Sequence, residues 1–107
     1  MVVLIEQFRA GALDYASNPW LLEVVAGLVE GDEPPDSVAM REAEEEAGLS
    51  VKKLTKITEY LASPGASDEM VYLYLGTVDS SNAGGVHGLD EEHEDIKVHL
   101  VSSQDAF

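Results

Sequence analysis

The chain has 107 residues, with 21 acidic and 6 basic side chains and a formal net charge of −15 at pH 7. This length allows one domain, and the charge argues against nucleic acid or an anionic membrane as a partner, because both are bound through basic surfaces. The chain has no cysteine, which excludes disulfides and thiol chemistry. Without a signal segment or an apolar run of membrane length, the cytoplasm is the expected location.

Two apolar runs before residue 27 predict β-strands. They are Val2–Phe8, which reads VVLIEQF, and residues 20–25, which read WLLEVV. Short runs rich in Val, Ile and Leu are typical of buried strands. The second run leads into Ala26 and Gly27, where a glycine allows the backbone to approach a ligand closely. The carbonyl of Ala26 is a candidate metal ligand.

A helix is predicted over Pro35–Ala47. Proline is tolerated at a helix entry, where backbone N–H groups have no intrahelical partner. Asp36 in the first turn suits the positive end of the helix dipole, and Gly48 is a suitable left-handed end. We expect a narrow apolar stripe to face a sheet, formed by Ala39, Met40, Ala43 and Ala47.

Glu42 and Glu46 are spaced i, i+4 on this helix, so we expect them to share a second face, with Glu45 beside them. Like charges at this spacing cost about 0.2–0.5 kcal/mol on an exposed helix. If the two carboxylates are held ~4 Å apart in a cleft with an effective dielectric of about 20, their repulsion costs about 4 kcal/mol. A divalent cation bound between them makes the net electrostatic interaction attractive. Oxygen donors without cysteine or a histidine pair favour Mg²⁺ or Mn²⁺ over zinc.

Arg41 is expected to form ion pairs within the same group of residues. It is spaced i, i+4 from Glu45 and can also reach Glu33. We expect these pairs to orient the metal-binding carboxylates rather than to bind metal, and a plain surface ion pair is the alternative.

The second half of the chain predicts three more strands. Residues 57–62, Met70–Val78 and Ile96–Val101 have strand patterns, whereas residues 51–56 carry three of the six basic residues and are expected to form a solvated edge. Residues 63–69 form a turn by composition. Residues 79–91 form a long glycine-bearing loop, and such loops often carry function. Ser102 has the character of a helix-capping serine.

The residues around the helix follow a fixed spacing from Gly27 to Leu49. The pattern is G-x5-E-x7-R-E-U-x-E-E-x-G-U, where U is apolar, and every required position is filled. This spacing resembles the signature of the Nudix hydrolases, although Ala43 is smaller than the aliphatic residue usual there. A solvated acidic helix is the alternative interpretation. The resemblance implies one α/β domain over residues 1–107, folded as an α/β/α sandwich with a mixed sheet.

The resemblance extends beyond this Nudix box, residues 27–49. The segments VLIEQ from residue 3, WLLE from residue 20, LASPG from residue 61 and HGLDEEHEDI from residue 87 are similar to the bacterial ADP-ribose pyrophosphatases of that family. Pro64, sixteen residues after Gly48, is the position that marks ADP-ribose enzymes in the family. The implied reaction is the Mg²⁺-dependent hydrolysis of ADP-ribose to AMP and ribose 5-phosphate.

The resemblance also implies residue roles. The metal ligands would be the carbonyl of Ala26 and the carboxylates of Glu42, Glu46 and Glu94. The substrate would be contacted by Arg9, which meets the phosphates, and by Leu28, Ser63, Pro64, Gly65 and Glu69. Glu92 would be the general base, with Glu45 lending charge or a water-mediated contact and Arg41 orienting the carboxylates. The alternatives for the base are Asp90, Glu91, Glu94 and Asp95.

The family carries an N-terminal region before the first strand and a helix after the last one. The chain is therefore expected to be a catalytic core truncated at both ends, and self-association as a homo-oligomer is expected to cover its apolar surface. Two other functions remain open. One is hydrolysis of another nucleotide sugar or a dinucleotide, and the other is binding of metal or nucleotide with little catalysis.

Overall fold

A computed structural model of the chain describes residues 1–15, 17–79, 81, 83–88 and 95–106. In chain order its elements are β1 (Val2–Phe8), a 3-10 turn (Ala10–Ala12), β2 (Trp20–Glu23), α1 (Pro35–Ala47), β3 (Val51–Leu61), β4 (Met70–Val78), β5 (Val86–His87), β6 (Ile96–Val101) and α2 (Ser103–Ala106). The predicted bounds of β1, α1, β4 and β6 are confirmed. Among the described helices, none is long and apolar enough to cross a membrane.

The strands form two sheets. One has four strands in the order β2-β1-β6-β5, and the other is the hairpin of β3 and β4. The α/β class is confirmed, but every ladder within the described residues is antiparallel, so the parallel pairing of a mixed sheet is not seen there. A parallel pair requires a crossover connection, usually a helix. Helix α1 does not make such a connection, because the next strand, β3, pairs antiparallel with β4 in the other sheet.

The core lies between the four-stranded sheet and the C-terminal half of α1. Ile5 of β1 and Ile96 of β6 have no exposed surface, and they cluster with Ala47, Leu49 and Val98. Ile96 and Val98 are buried and alternate with the exposed Lys97, whereas Leu100 on the same face is 36% exposed, so one face of β6 is buried only over its first half. Helix α1 also contacts β3 and β4, so it is the element that joins the two sheets.

Both ends of α1 are formed as the sequence predicts. Pro35 occupies the first helical position, and Gly48 adopts the left-handed conformation with φ 67°. The backbone N–H of Gly48 donates a hydrogen bond of 2.9 Å to the carbonyl of Glu44. A side chain at residue 48 would strain this conformation, so the glycine ends the helix and directs the chain into β3.

Strand β2 ends at Glu23, two residues before the predicted end at residue 25. Beyond the ladder, the N–H of Ala26 donates a hydrogen bond to the side chain of Glu46 on α1. This hydrogen bond joins the segment that follows β2 to helix α1.

Strand β3 is longer than predicted because residues 51–56 belong to it, and the three lysines of this stretch are exposed to water as expected. Register shifts occur between Val51 and Lys53 and between Lys56 and Thr58, so the predicted break is a bulge within one strand. The polar side chains do not end the strand because β4 supplies the backbone hydrogen bonds along its whole length.

Two short elements follow the hairpin. Strand β5, Val86–His87, pairs with Lys97 and Ile96 inside the region expected to be a loop. Two residues are too few to show a strand periodicity in the sequence. At the end of the chain, the hydroxyl oxygen of Ser102 accepts a hydrogen bond of 3.0 Å from the N–H of Asp105, as its capping character predicts.

Candidate active site

Glu42 and Glu46 lie on the buried side of α1. Glu46 is only 4% exposed, and it follows Val38, which is 3% exposed, at a spacing of two helical turns. The prediction that an alanine stripe would face the sheet is only partly correct. Ala47 is buried, Ala39 and Ala43 are half-buried, and Met40 is 46% exposed. The acidic pair therefore shares the inward side of the helix, where one carboxylate is removed from water.

The segment after β2 explains this orientation, because it lies directly on the two carboxylates. The backbone N–H of Ala26 donates a hydrogen bond of 3.1 Å to Oε2 of Glu46. At the next residue, a Cβ added to Gly27 would overlap Cγ and the carboxylate of Glu42. The glycine is therefore required by close approach, as the sequence predicts. We call Ala26, Gly27, Glu42 and Glu46 the acid site.

Arg41 holds three carboxylates at the edge of the acid site. Its Nη1 lies 3.1 Å from Oε1 of Glu42 and 3.4 Å from Oε2 of Glu45, and its Nη2 lies 3.3 Å from Oε1 of Glu33. The predicted contacts with Glu45 and Glu33 are present, and the contact with Glu42 is an addition. The geometry ties the helix to the loop that precedes it.

The pKa of the Arg41 guanidinium is raised above its usual value. Desolvation lowers it, but the charges of Glu33, Glu42 and Glu45 and the hydrogen bond to Glu45 raise it by more. The guanidinium therefore stays protonated at every ordinary pH.

The donor set of the acid site fits a hard divalent cation. It offers carboxylate oxygens without a thiol or an imidazole, and the Ala26–Glu46 hydrogen bond fixes one carboxylate on the segment that carries the carbonyl of Ala26. Within the described part of the chain, no group of three or more His, Cys, Asp or Glu residues is arranged to hold a metal ion. The fourth expected ligand, Glu94, and the expected base, Glu92, lie outside the described residues.

The segment that carries these two acids is attached at both ends near α1. The N–H of Gly88 donates a hydrogen bond of 3.1 Å to the carbonyl of Glu45. After the segment, Ile96 enters the core beside Ala47 of α1. Both described attachments, at Gly88 and at Ile96, are therefore contacts with the C-terminal half of α1.

The residues expected to contact substrate are not all gathered around the acid site. Leu28, next to Gly27, is 77% exposed. The loop of Ser63, Pro64, Gly65 and Glu69 is exposed at the tip of the β3–β4 hairpin. Its described hydrogen bonds are internal, such as the bond of 3.0 Å from the N–H of Ala66 to the carbonyl of Ser63. Arg9 is bound by Glu23 on the neighbouring strand, with Nε to Oε2 at 2.7 Å.

Comparison with known families gives the same result as the fold and the Nudix box. The sequence profile described as the NUDIX domain matches residues 1–106. The chain belongs to the NUDIX family. In this NUDIX domain the acid site is formed by Gly27, Glu42 and Glu46 of the Nudix box and by Ala26, the residue before the box.

Named relatives of this NUDIX domain include nucleotide-sugar pyrophosphatases. The chain is 51% identical over 106 residues to the ADP-ribose pyrophosphatase of Escherichia coli strain K12 and 50% identical over 109 residues to that of Haemophilus influenzae, covering 99% of this chain in both cases. It is 37% identical over 101 residues, 91% of its length, to the GDP-mannose pyrophosphatase of Citrobacter koseri. The chain spans about half the length of these relatives, 51%, 50% and 50% respectively.

Two contacts of the NUDIX domain could not be predicted from the pattern of residues. They are the Gly88–Glu45 backbone hydrogen bond and the Arg9–Glu23 ion pair. Both join residues that are far apart in the sequence, and no spacing rule connects them. For the first contact the glycines at residues 84, 85 and 88 are a sequence signal, because glycine readily adopts the positive φ angles that all three have.

Proposed function

We propose that this NUDIX domain is the core of a divalent-metal-dependent pyrophosphatase that cleaves ADP-ribose to AMP and ribose 5-phosphate. The observation that carries the proposal is the convergence of Glu42 and Glu46 on Ala26 and Gly27. A pyrophosphate repels a nucleophile, and a cation held by oxygen ligands neutralises that charge. The acid site supplies such ligands in a chain of net charge −15, which would otherwise repel an anionic substrate.

The proposed cation is Mg²⁺, with Mn²⁺ as a substitute. Glu42, Glu46 and the carbonyl of Ala26 would hold it together with Glu94. When bound, the cation lowers the pKa of a coordinated water and clamps the phosphates. Arg41 fixes the orientation of Glu42 through the contact of 3.1 Å, so that the carboxylate does not have to be reordered during the reaction.

The proposed general base is Glu92, which would take a proton from the attacking water. Support comes from the attachments of its segment at Gly88 and Ile96, both beside the C-terminal half of α1. Glu92→Gln is expected to lower kcat by about 10²–10⁴, the usual contribution of a general base. A fall of less than about tenfold would transfer the role to another acid of the segment.

The choice of ADP-ribose is supported by the relatives and by Pro64. Relatives named ADP-ribose pyrophosphatase reach 51% identity, whereas those named GDP-mannose pyrophosphatase reach 38%. A second candidate substrate is GDP-mannose or another nucleotide sugar, because the acid site acts on the pyrophosphate and the flanking loops select the attached group. A third candidate is a core that binds metal or nucleotide with little turnover.

One set of incubations separates these functions. The chain is mixed with ADP-ribose, ADP-mannose, GDP-mannose or NADH in the presence of Mg²⁺, and release of the nucleoside monophosphate is followed by chromatography. We expect kcat/KM to be highest for ADP-ribose and to be abolished by EDTA. A higher kcat/KM for GDP-mannose supports the second function. Calorimetric binding of ADP-ribose without product supports the third.

We also propose that the chain associates with itself. Support comes from apolar side chains exposed on the β3–β4 hairpin, including Ile57, which is 57% exposed, and Leu75, which is 61% exposed. Sedimentation equilibrium at increasing concentration is expected to show a rising average mass. A monomer mass at high protein concentration would contradict this proposal.

A further inference from the structure

We propose that strand β4 is an interaction edge, which pairs antiparallel with β4 of a second copy of this chain. The inference rests on the proposed self-association and names the surface that carries it, and it is independent of the proposed hydrolysis. In the resulting dimer the two hairpins form one sheet in the order β3-β4-β4-β3, with a two-fold axis between the two β4 strands.

The hairpin of β3 and β4 is a sheet of only two strands. Within the described residues, each of these strands pairs with the other and with no further strand. Apolar side chains are exposed near its tip, at Tyr60, Leu61 and Met70. A sheet of two strands is marginally stable in water, and a third strand adds backbone hydrogen bonds and covers apolar surface. The outer edges of the hairpin are therefore the places at which a further strand can be added.

The two outer edges differ, and β3 has the features that oppose pairing. Both register shifts of the hairpin insert an extra residue into β3, one at Lys52 and one at Ile57. Lys53 and Lys56 add two more exposed charges to the same strand. Bulges and lysines on an edge strand obstruct a regular ladder with another chain. The edge of β3 is therefore protected.

Strand β4 has none of these features. Met70–Val78 reads MVYLYLGTV, which contains no charged residue and no proline, and the extra residues of the two bulges are not on this strand. Among the described strands of more than two residues, β4 alone has no charged side chain. Aromatic and β-branched residues, which favour strands, make up much of it. An uncharged strand of this composition with an open edge pairs readily with another strand.

The charge distribution favours a second copy as the partner. The formal net charge is −15, so two copies repel each other over most of their surfaces. The hairpin is an exception, since β3 and β4 together carry three lysines and one glutamate. Contact through β4 brings two uncharged strands together and keeps the acidic surfaces of the two copies apart.

Pairing through β4 also limits the assembly to two copies. The outermost strands of the combined sheet are the two β3 strands, whose lysines and bulges oppose the addition of another strand. A contact across a two-fold axis uses the same edge in both copies, so it is closed. The unprotected edge is thus consumed in the dimer, and the protected one is left in solvent.

Full overlap of the two β4 strands fixes which residues oppose each other. Antiparallel pairing of all nine residues places Tyr74 opposite Tyr74 of the second copy and Leu75 opposite the second copy's Leu73. Opposed Cβ atoms in such a ladder lie about 4.5–5.5 Å apart. Leu75, which is 61% exposed in the single chain, becomes covered in the dimer.

Hydrogen exchange tests the pairing in the unaltered chain. Alternate backbone N–H groups of β4 point away from β3, and they gain acceptors only when a second strand is added. We expect NMR to show that exchange at these outer amides slows about tenfold or more as the protein concentration rises through the Kd of the dimer. The outer amides of β3 should exchange at the same rate throughout.

Leu75→Lys is expected to raise the Kd of the dimer about tenfold or more, measured by sedimentation velocity. Each copy then places an ammonium group against the second copy's Leu73 in the middle of the combined sheet. Leu22→Lys is the matched control, because Leu22 is 59% exposed on β2 in the other sheet. It should leave the Kd unchanged. If Leu75→Lys does not fold, the exchange measurement on the unaltered chain decides the question.

A single cysteine gives a second test, because the chain contains none. Tyr74→Cys is expected to form a disulfide between two copies on mild oxidation, since the two residues oppose each other across the axis. Thr55→Cys is the control, because Thr55 lies on β3 opposite Leu75 of its own chain. Two Thr55 residues in the dimer are three strand spacings apart, about 14 Å, which a disulfide cannot span.

The outcomes separate this inference from the proposed self-association. A chain that associates without protection of the outer β4 amides, or equal cross-linking of Tyr74→Cys and Thr55→Cys, would overturn the pairing and leave the self-association standing. An unchanged Kd in Leu75→Lys would do the same. Protection that does not vary with protein concentration would assign this edge to a segment of the same chain and would also overturn the inference. A monomer mass at high concentration would overturn both.

Discussion

Glu42 occupies the space in which a side chain at residue 27 would have to lie, since a Cβ built on Gly27 overlaps its carboxylate. The same segment is fixed one residue earlier, where the N–H of Ala26 bonds to Glu46 at 3.1 Å. The two carboxylates are therefore positioned by the backbone of the segment that follows β2. Their approach to each other does not depend on the helix alone.

Gly27→Ala is expected to disrupt the acid site while leaving the fold intact. The added methyl group must displace Glu42 or the segment, and insertion of a methyl into a packed site costs about 1–3 kcal/mol of unfolding free energy. We expect Mg²⁺ affinity to fall about 10- to 100-fold and kcat/KM to fall at least as far. Metal titration followed by calorimetry checks the first effect.

Gly11→Ala is the control for this substitution, because a Cβ at Gly11 meets no atom within 4 Å. It should leave Mg²⁺ affinity unchanged. Equal losses in the two variants would mean that the glycine at residue 27 has no special relation to Glu42.

Metal binding should be visible as thermal stability. Mg²⁺ at a hundred times its Kd stabilises the folded state by about 2.7 kcal/mol, which raises the melting temperature of a domain of this size by about 10 °C or more. We expect this rise in the unaltered chain and its loss in Glu46→Gln. In the absence of metal, Glu46→Gln should melt no lower than the unaltered chain, because glutamine can still accept the Ala26 hydrogen bond and the like charge beside Glu42 is removed.

Glu44→Gln provides the comparison on the same helix, since Glu44 is exposed. It should keep the full rise in melting temperature with Mg²⁺. A rise that persists in Glu46→Gln would show that the stabilising metal binds elsewhere.

Much of α1 could be predicted from the sequence, whereas the side of the helix that is buried could not. Pro35 and Gly48 mark the ends of the helix through local backbone conformation, which depends only on residues that are adjacent in the sequence. The buried side depends on Gly27, which lies in the segment between β2 and α1. Small alanines contribute little burial energy, so they did not outweigh the contacts of Glu42 and Glu46 with that segment.

The hairpin illustrates the same limit. Lys52, Lys53 and Lys56 indicated a solvated edge, yet all three belong to β3 because β4 pairs with it. Polar composition reports exposure to water, and an exposed strand has the same composition as an exposed loop. Pairing between distant segments decides which of the two forms.

Arg41→Lys is expected to weaken the organisation of the acid site although the charge is kept. The guanidinium contacts Glu33, Glu42 and Glu45 through two nitrogens, and an ammonium group cannot reproduce that fork. We expect Mg²⁺ affinity to fall about tenfold, with a larger fall in kcat. Because the pKa of Arg41 is raised, the effect should be the same from pH 6 to about pH 9.

Lys56→Ala serves as the comparison for loss of an exposed ion pair. Its partner Glu59 lies on the same strand, away from the acid site, so metal affinity and kcat should remain at the level of the unaltered chain. If Arg41→Lys behaved in the same way, the contacts of Arg41 would be a plain surface network.

Gly88→Ala tests whether the attachment at Glu45 matters for catalysis. Gly88 has φ 106°, a conformation that residues with a side chain rarely adopt. Its N–H donates a hydrogen bond of 3.1 Å to the carbonyl of Glu45. An alanine shifts this anchor and, with it, the start of the segment that carries Glu92 and Glu94. We expect kcat to fall by about 10²-fold. The fold should be retained, because Glu42 and Glu46 are held by Arg41 and Ala26 rather than by Gly88. Rapid-quench measurement of AMP release gives the rate of the chemical step, and circular dichroism verifies the fold. A rate within about threefold of the unaltered chain would show that the segment reaches the acid site without this anchor.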